Sequence, residues 1–320
     1  MTGVMPQLLD GYLQLRHGLG YRSVTQERAL RSFARYLEEQ GVRPPVALEA
    51  TLGWAGATSS RDPHNPARRL NTVRGFLRYL AARDDGATPV PPAGLLGPVA
   101  PRRAPHVYSD EEIADLLSAA GRLSPTGGLR PRCYVTLFGL LACTGMRIAE
   151  GLALACGDVD LDAQVITVRS GKRGRARLVP LHESAIDPLR EYLAERIARH
   201  GQPDADEPFW RTDRSEPLSY STVHSTFCRL RARLGWSRHG RTRLPRIHDL
   251  RHHMVIARIQ AWYAEGVDVD AMLPVLATYL GHTEVRDTYW YLTAVPELTG
   301  LVADRFEAFA AARHQPGGAP

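Results

Sequence analysis

The sequence predicts a mainly α protein with a small antiparallel β-sheet, an α+β chain in two parts. Apolar residues recur at helical spacing along most of the chain. Period-two alternation is confined to one stretch between Gln164 and Pro180. Between Asp85 and Pro105 six prolines and three glycines forbid a continuous helix or a central strand. At 320 residues the chain can bury two separate cores. The expected division is a helical domain over 1–85, an extended linker over 86–105, a second domain over 106–312 and a flexible tail over 313–320.

In the first part a helix is expected from Leu8 to His17, stopped by Gly18. Ser23-Val-Thr-Gln26 has the form of a capping box opening a helix to Glu39, and Pro66 sits near the start of another reaching Arg83. Leu70, Val73, Phe76, Leu77 and Leu80 give that last helix a core face, with Arg68, Arg69, Arg74 and Arg78 off the stripe. In the second part Ser109-Asp-Glu-Glu112 caps a helix to about Ala120, and the apolar run Cys133–Met146 reads as a buried helix. Gln164–Arg169 and Ala176–Pro180 alternate as strands, with Gly171–Gly174 as the turn of a hairpin. Helices are expected at Glu183–Arg199, Ser221–Leu234, Asp249–Ala264, Asp270–Leu280 and Glu297–Ala312.

Composition excludes several classes. Hydrophobic content of 44% and charged content of 23% are those of a soluble globular chain rather than a disordered one. Cys133–Met146 is too short to span a bilayer and nothing reads as a signal peptide, so a cytoplasmic protein without a membrane partner is expected. Cys133, Cys143, Cys156 and Cys228 show neither a C-x-x-C pair nor metal spacing and are expected as reduced core thiols. The net charge of +6 lies entirely in residues 1–105, which hold 14 basic and 8 acidic residues. Residues 229–251 nonetheless carry eight Arg against one Asp, and 169–177 carry five basic residues and no acid. Three basic zones point to a phosphate backbone, whose neutralisation releases counterions.

A single lysine, Lys172, stands at the expected hairpin tip of a chain whose other basic residues are all Arg. Arg cannot give up its proton in a protein and an ammonium can, which marks Lys172 for proton transfer; drift in an arginine-rich chain is the competing explanation. Arg147 follows a glycine break in Thr144-Gly-Met-Arg147, where it could act on a ligand or pair with Glu150 one turn on. His248-Asp-Leu-Arg251 places two polar side chains three apart at a helix start, and Gly281-His282 precedes Tyr291 by ten and nine residues. Two Arg forks can neutralise the nonbridging oxygens of a phosphodiester, and a Tyr hydroxyl can attack it once deprotonated.

The ordered set Arg147, Lys172, His248, Arg251, His282 and Tyr291 resembles the tyrosine recombinase, or phage integrase, family over about residues 5–312. The resemblance implies a helical core-binding domain that grips DNA and a catalytic domain that cuts and rejoins strands through a 3′-phosphotyrosine. Arg147 and Arg251 would clamp the phosphate, Tyr291 would attack, His282 would bond the scissile phosphate, and Lys172 would protonate the leaving 5′ oxygen. His248 would serve as general base or orienting group. No metal and no cofactor would be needed, since one phosphodiester replaces another. Implied partners are double-stranded DNA and further copies of the chain, as a tetramer exchanging C-terminal helices through Leu298, Leu301, Val302, Phe306 and Phe309. Accessory recombinase subunits are compatible with this.

Two departures stand out. His248 to His282 spans 34 positions, longer than the common spacing, which resembles the integrase-type transposases of mobile elements. Tyr289 lies near the nucleophile but seven residues after His282, the wrong offset for the family. The alternatives are a type IB topoisomerase-like relaxing enzyme and a catalytically silent DNA-binding accessory protein.

Overall fold

A computed structural model describes residues 3–21, 23–98, 105–169, 176–237 and 244–294. The chain divides into two compact units, one ending at Arg102 and the other beginning at Arg103.

The first unit contains α1 (Val4–Gly18), α2 (Val24–Glu39), α3 (Leu48–Gly56) and α4 (Asn65–Ala81) around a core that includes Leu9, Leu30, Phe33, Trp54, Phe76 and Leu77. Helix α1 begins four residues before the expected start, and its buried Met5 explains why: the extra turn adds core surface. Ser23 caps α2 by accepting from the Gln26 amide, but the Gln26 side chain does not close the box. It accepts instead from Arg16, at 2.6 Å. Helix α3 was not expected; it is short and carries Gly53, where a side chain would meet the Tyr36 hydroxyl.

Part of the expected linker is core. Thr88 is buried and accepts from the Val46 amide at 3.1 Å, and Val90 and Leu96 pack against the helices. The off-stripe arginines of α4 are largely fasteners: Arg68 pairs with Asp62 at 2.5 Å, Arg69 donates to the Trp54 carbonyl at 2.7 Å, and Arg74 donates to that of Pro91 at 2.9 Å. Arg78 is exposed.

The second unit has α5 (Asp110–Gly121), α6 (Leu129–Thr144), α7 (Ile148–Leu152), β1 (Val159–Asp160), β2 (Val165–Val168), β3 (Arg177–Pro180), α8 (Glu183–His200), α9 (Tyr220–Arg233), α10 (Ile247–Ala264), α11 (Val269–Leu280) and α12 (Arg286–Ala294). The capping box at Ser109 and Glu112 is complete. Helix α6 is buried on nearly every side, as its uniform apolar sequence requires, and forms the axis on which α5, α8 and α10 pack. The sheet has the order β1-β2-β3, antiparallel throughout, with Val168 opposite Arg177 at the turn end of the hairpin and Val165 opposite Pro180 at its open end. Residues 170–175, with Lys172, lie outside the described residues, as do the expected helix Glu297–Ala312 and the tail.

The cysteines correct one expectation. All four are free, but Cys133 alone is buried; Cys156 and Cys228 are half-buried, and Cys143 is exposed because it lines an open groove beside α6. Among the described residues no helix is long and apolar enough to cross a membrane.

Candidate active site

Two helix ends build the site. Helix α6 stops at Gly145, whose φ of +62° is a left-handed cap, and a Cβ there would stand 2.4 Å from the Met254 methyl. Helix α11 stops at Gly281, with φ of +66° and room for a Cβ only 2.9 Å from the Arg177 guanidinium. Terminal carbonyls of a helix have no partner within it and carry the negative end of its dipole. Three arginines take those places. Arg251 donates through Nη1 to Gly145 O (2.7 Å) and through Nη2 to Leu280 O (2.9 Å). Arg147 donates to Gly281 O at 3.1 Å and Arg177 to Tyr279 O at 2.8 Å. Three successive carbonyls of α11 thus hold three guanidiniums together.

Glu150 binds two of them from the other direction. Its carboxylate accepts from Arg147 Nη1 at 2.7 Å and from both terminal nitrogens of Arg177 at 3.1 and 2.8 Å, while the Arg147 amide donates to it at 3.0 Å. Burial alone would raise its pKa; the bonds from Arg177 and from the Arg147 backbone outweigh that and hold it at about 2. The pairing of Arg147 with Glu150 that its spacing allowed is therefore real, and it leaves Arg147 a quarter exposed. Three positive charges face one carboxylate, so the cluster keeps a surplus of positive charge suited to a phosphate. Arg251 is 2% exposed, and burial followed by the charge of Arg147 brings its pKa down to about 10, still protonated at neutral pH.

The remaining expected residues gather at the same corner. His248 is the second residue of α10, with its outer edge exposed. Protein packed around its inner side, then the charge of Arg251, push its pKa down to about 4, so the ring is neutral at pH 7. His282 follows Gly281, and its Nδ1 lies 2.7 Å from the Thr288 hydroxyl. Tyr291 is on α12, 2% exposed, within electrostatic reach of Arg251, with its hydroxyl 2.9 Å from Nδ1 of His252. Tyr289 is 41% exposed. Lys172 lies outside the described residues; before and after that stretch, Arg169 pairs with Asp158 and Arg177 with Glu150. The long interval between His248 and His282 is taken up by the last turns of α10 and the reversal into α11.

Sequence reasoning missed Arg177 and His252. Arg177 was one basic residue in a run, and what singles it out is a contact 102 residues away at Tyr279. His252 follows Arg251 directly, but nothing local ties it to a residue 39 positions on.

Residues 107–297 match the phage integrase family. The chain belongs to that family, the tyrosine recombinases. Among its relatives, y4rB of Sinorhizobium fredii, which carries an integrase/recombinase name, is 40% identical over 94% of this chain and 96% of its own length. The tyrosine recombinase XerD of Mycobacterium tuberculosis is 29% identical over 88% and 91%. The fold is that of the Tn1549 transposon integrase, solved with transposon right-end DNA, at a TM-score of 0.62, 17% identity and coverage of 95% of this chain and 99% of the other.

Proposed function

We propose that this protein is a site-specific DNA recombinase that cuts and rejoins strands through a 3′-phosphotyrosine at Tyr291. The observation that carries the reading is the surplus positive charge of Arg147, Arg177 and Arg251 held beside a buried tyrosine. Arg147 and Arg251 clamp the nonbridging oxygens, where their preorganised charge acts most strongly as the transition state gains charge. His282 bonds the same phosphate and His248, neutral at pH 7, orients it or receives a proton. Lys172 protonates the 5′ oxygen from the hairpin tip. Residues 1–85 grip DNA as the core-binding domain, residues 106–312 form the catalytic domain, and the working assembly is a homo-oligomer on DNA, a tetramer with exchanged C-terminal helices. The long His248–His282 interval supports a role with the integrases of mobile elements, and the proposed site of action is the cytoplasm.

The test is covalent capture. Nicked duplexes of random sequence are selected for SDS-stable adducts with the parent enzyme, and the winners become substrates. Tyr291→Phe abolishes the adduct and Tyr289→Phe retains it; Lys172→Arg slows it by about 10² or more. The reverse result for the two tyrosines would move the nucleophile to Tyr289. Relaxation of a supercoiled plasmid bearing one selected site, with no partner site, would favour the topoisomerase-like alternative.

A further inference from the structure

Three buried groups stand in line behind the arginine cluster. Asp249 and His252 lie one turn apart on α10, at 0% and 3% exposure, and Tyr291 meets them from α12. The Tyr291 hydroxyl is 2.9 Å from His252 Nδ1, and Asp249 Oδ1 is 3.9 Å from Nε2 on the far side of the ring. Asp249 is itself fixed by the Arg246 amide at 2.8 Å and the Arg246 guanidinium at 2.7 Å. A carboxylate on the Nε2 side favours the tautomer that carries its proton there, which leaves Nδ1 as an acceptor facing the phenol. Carboxylate, imidazole and hydroxyl stand in the order by which a weak nucleophile is activated, with the hydroxyl at hydrogen-bond distance and the carboxylate at ion-pair distance from the ring. The His248 ring stands edge-on to His252, centroids 4.9 Å apart, and is exposed, so it lies between the buried ring and water.

We infer that His252, not His248, is the base that takes the proton from Tyr291. The inference rests on the strand-transfer reading and names a residue within it. In the cleavage step the Tyr291 Oη–H proton passes to His252 Nδ1, the Oη–P bond forms and the P–O5′ bond breaks. The 5′ oxygen leaves with a proton from Lys172 or water. Rejoining reverses each transfer, His252 returning its proton to the departing phenol oxygen. The titratable and charged groups facing His252 include Tyr291 from α12 and, from α10, His248 and Asp249 with its partner Arg246. Asp249 stabilises the imidazolium once it forms.

The experiment uses the full chain and the nicked duplexes captured by the parent. His252→Asn keeps a polar group near the Nδ1 position but cannot take a proton at neutral pH. It is expected to bind the duplex as the parent does while forming the adduct more slowly at pH 7, by a factor of about 10² to 10⁴. That deficit is expected to shrink about tenfold per unit as the pH rises towards the ordinary phenol value of about 10. A parent-like rate overturns the inference, a faster rate shows that the contact restrains Tyr291 instead, and a slow rate flat with pH makes it structural only. If the variant does not fold, His248→Asn decides the matter on a substrate with sulfur at the bridging 5′ position, which leaves without a proton. Any deficit of that variant is expected to be the same at every pH, and one that shrinks about tenfold per unit as the pH rises assigns the proton to His248 and overturns the inference. An adduct absent even from the parent removes the strand-transfer reading and this inference together; a reactive parent with an equally reactive His252→Asn removes the inference alone.

Discussion

The arginines of α4 and those around the end of α11 make the same kind of bond for opposite purposes. Arg69 and Arg74 each give a guanidinium N–H to a loop carbonyl, at Trp54 and Pro91, and Arg69 also stacks on the Trp54 ring at 4.0 Å. Each fastens one loop to one helix. Arg147, Arg177 and Arg251 give theirs to three successive carbonyls at a single helix end and share one carboxylate. A fastener stands by itself, one cation to one carbonyl dipole. The cluster concentrates three cations around one carboxylate, a surplus that a phosphate would neutralise under the proposed function. Counting arginines in a sequence does not separate the two uses; counting how many guanidiniums meet at one helix end does.

The change expected to strain that comparison most is Arg251→Gln. It removes one phosphate donor and leaves Gly145 O and Leu280 O without their partner, so adduct formation should fall by about 10³, with loss of roughly 2–4 kcal/mol of stability. Arg251→Lys separates the two effects, because it keeps the charge but cannot span both carbonyls. The measurements are the rate of SDS-stable adduct formation and the urea midpoint. If Arg251→Gln cleaves within a few-fold of the parent, the cluster is merely another fastener and the distinction collapses.

Glu150→Gln should have the next largest effect, and its sign depends on pH. The folded pKa of Glu150 is about 2 against an ordinary 4.5, so the carboxylate stabilises the fold above about pH 4.5 and loses that contribution as pH falls through 2. At pH 7 the variant should be less stable by about 3 kcal/mol, and the gap should narrow to under half of that by about pH 3. Urea unfolding of both proteins across that range checks it. A gap that stays constant with pH would mean that Glu150 serves through shape rather than charge.

Why some of this was legible in the sequence and some not follows from distance along the chain. Ser109 and Glu112 form their cap within one turn, and the α4 stripe repeats within two, so local chemistry announces both. Gly145 and Gly281 could be read as breaks, and Arg147, His248, Arg251, His282 and Tyr291 as an ordered set, because each has local context. Which carbonyl an arginine meets is decided by elements that come together only on folding. Arg177 to Tyr279 and His252 to Tyr291 are such pairs, and no periodicity encodes them. The packing of Thr88 and Val90 in the expected linker was hidden for a related reason: prolines forbid helix but do not forbid burial.

The smallest expected effect gives the sharpest contrast within α4 itself. Arg69→Met removes a bond to a carbonyl and a stacked cation, and should lower stability by roughly 1–2 kcal/mol without altering the salt dependence of DNA binding. Arg78 is exposed on the same helix, and Arg78→Ala should leave the urea midpoint within about 0.5 kcal/mol of the parent. If Arg78 meets a phosphate, its loss should reduce the slope of log affinity against log salt by about 0.9, the share of one released counterion. Titrating both variants against one captured duplex at several salt concentrations tests the pair. Were Arg69→Met to change the slope and Arg78→Ala the stability, the assignment of fastener and ligand on this helix would have to be exchanged.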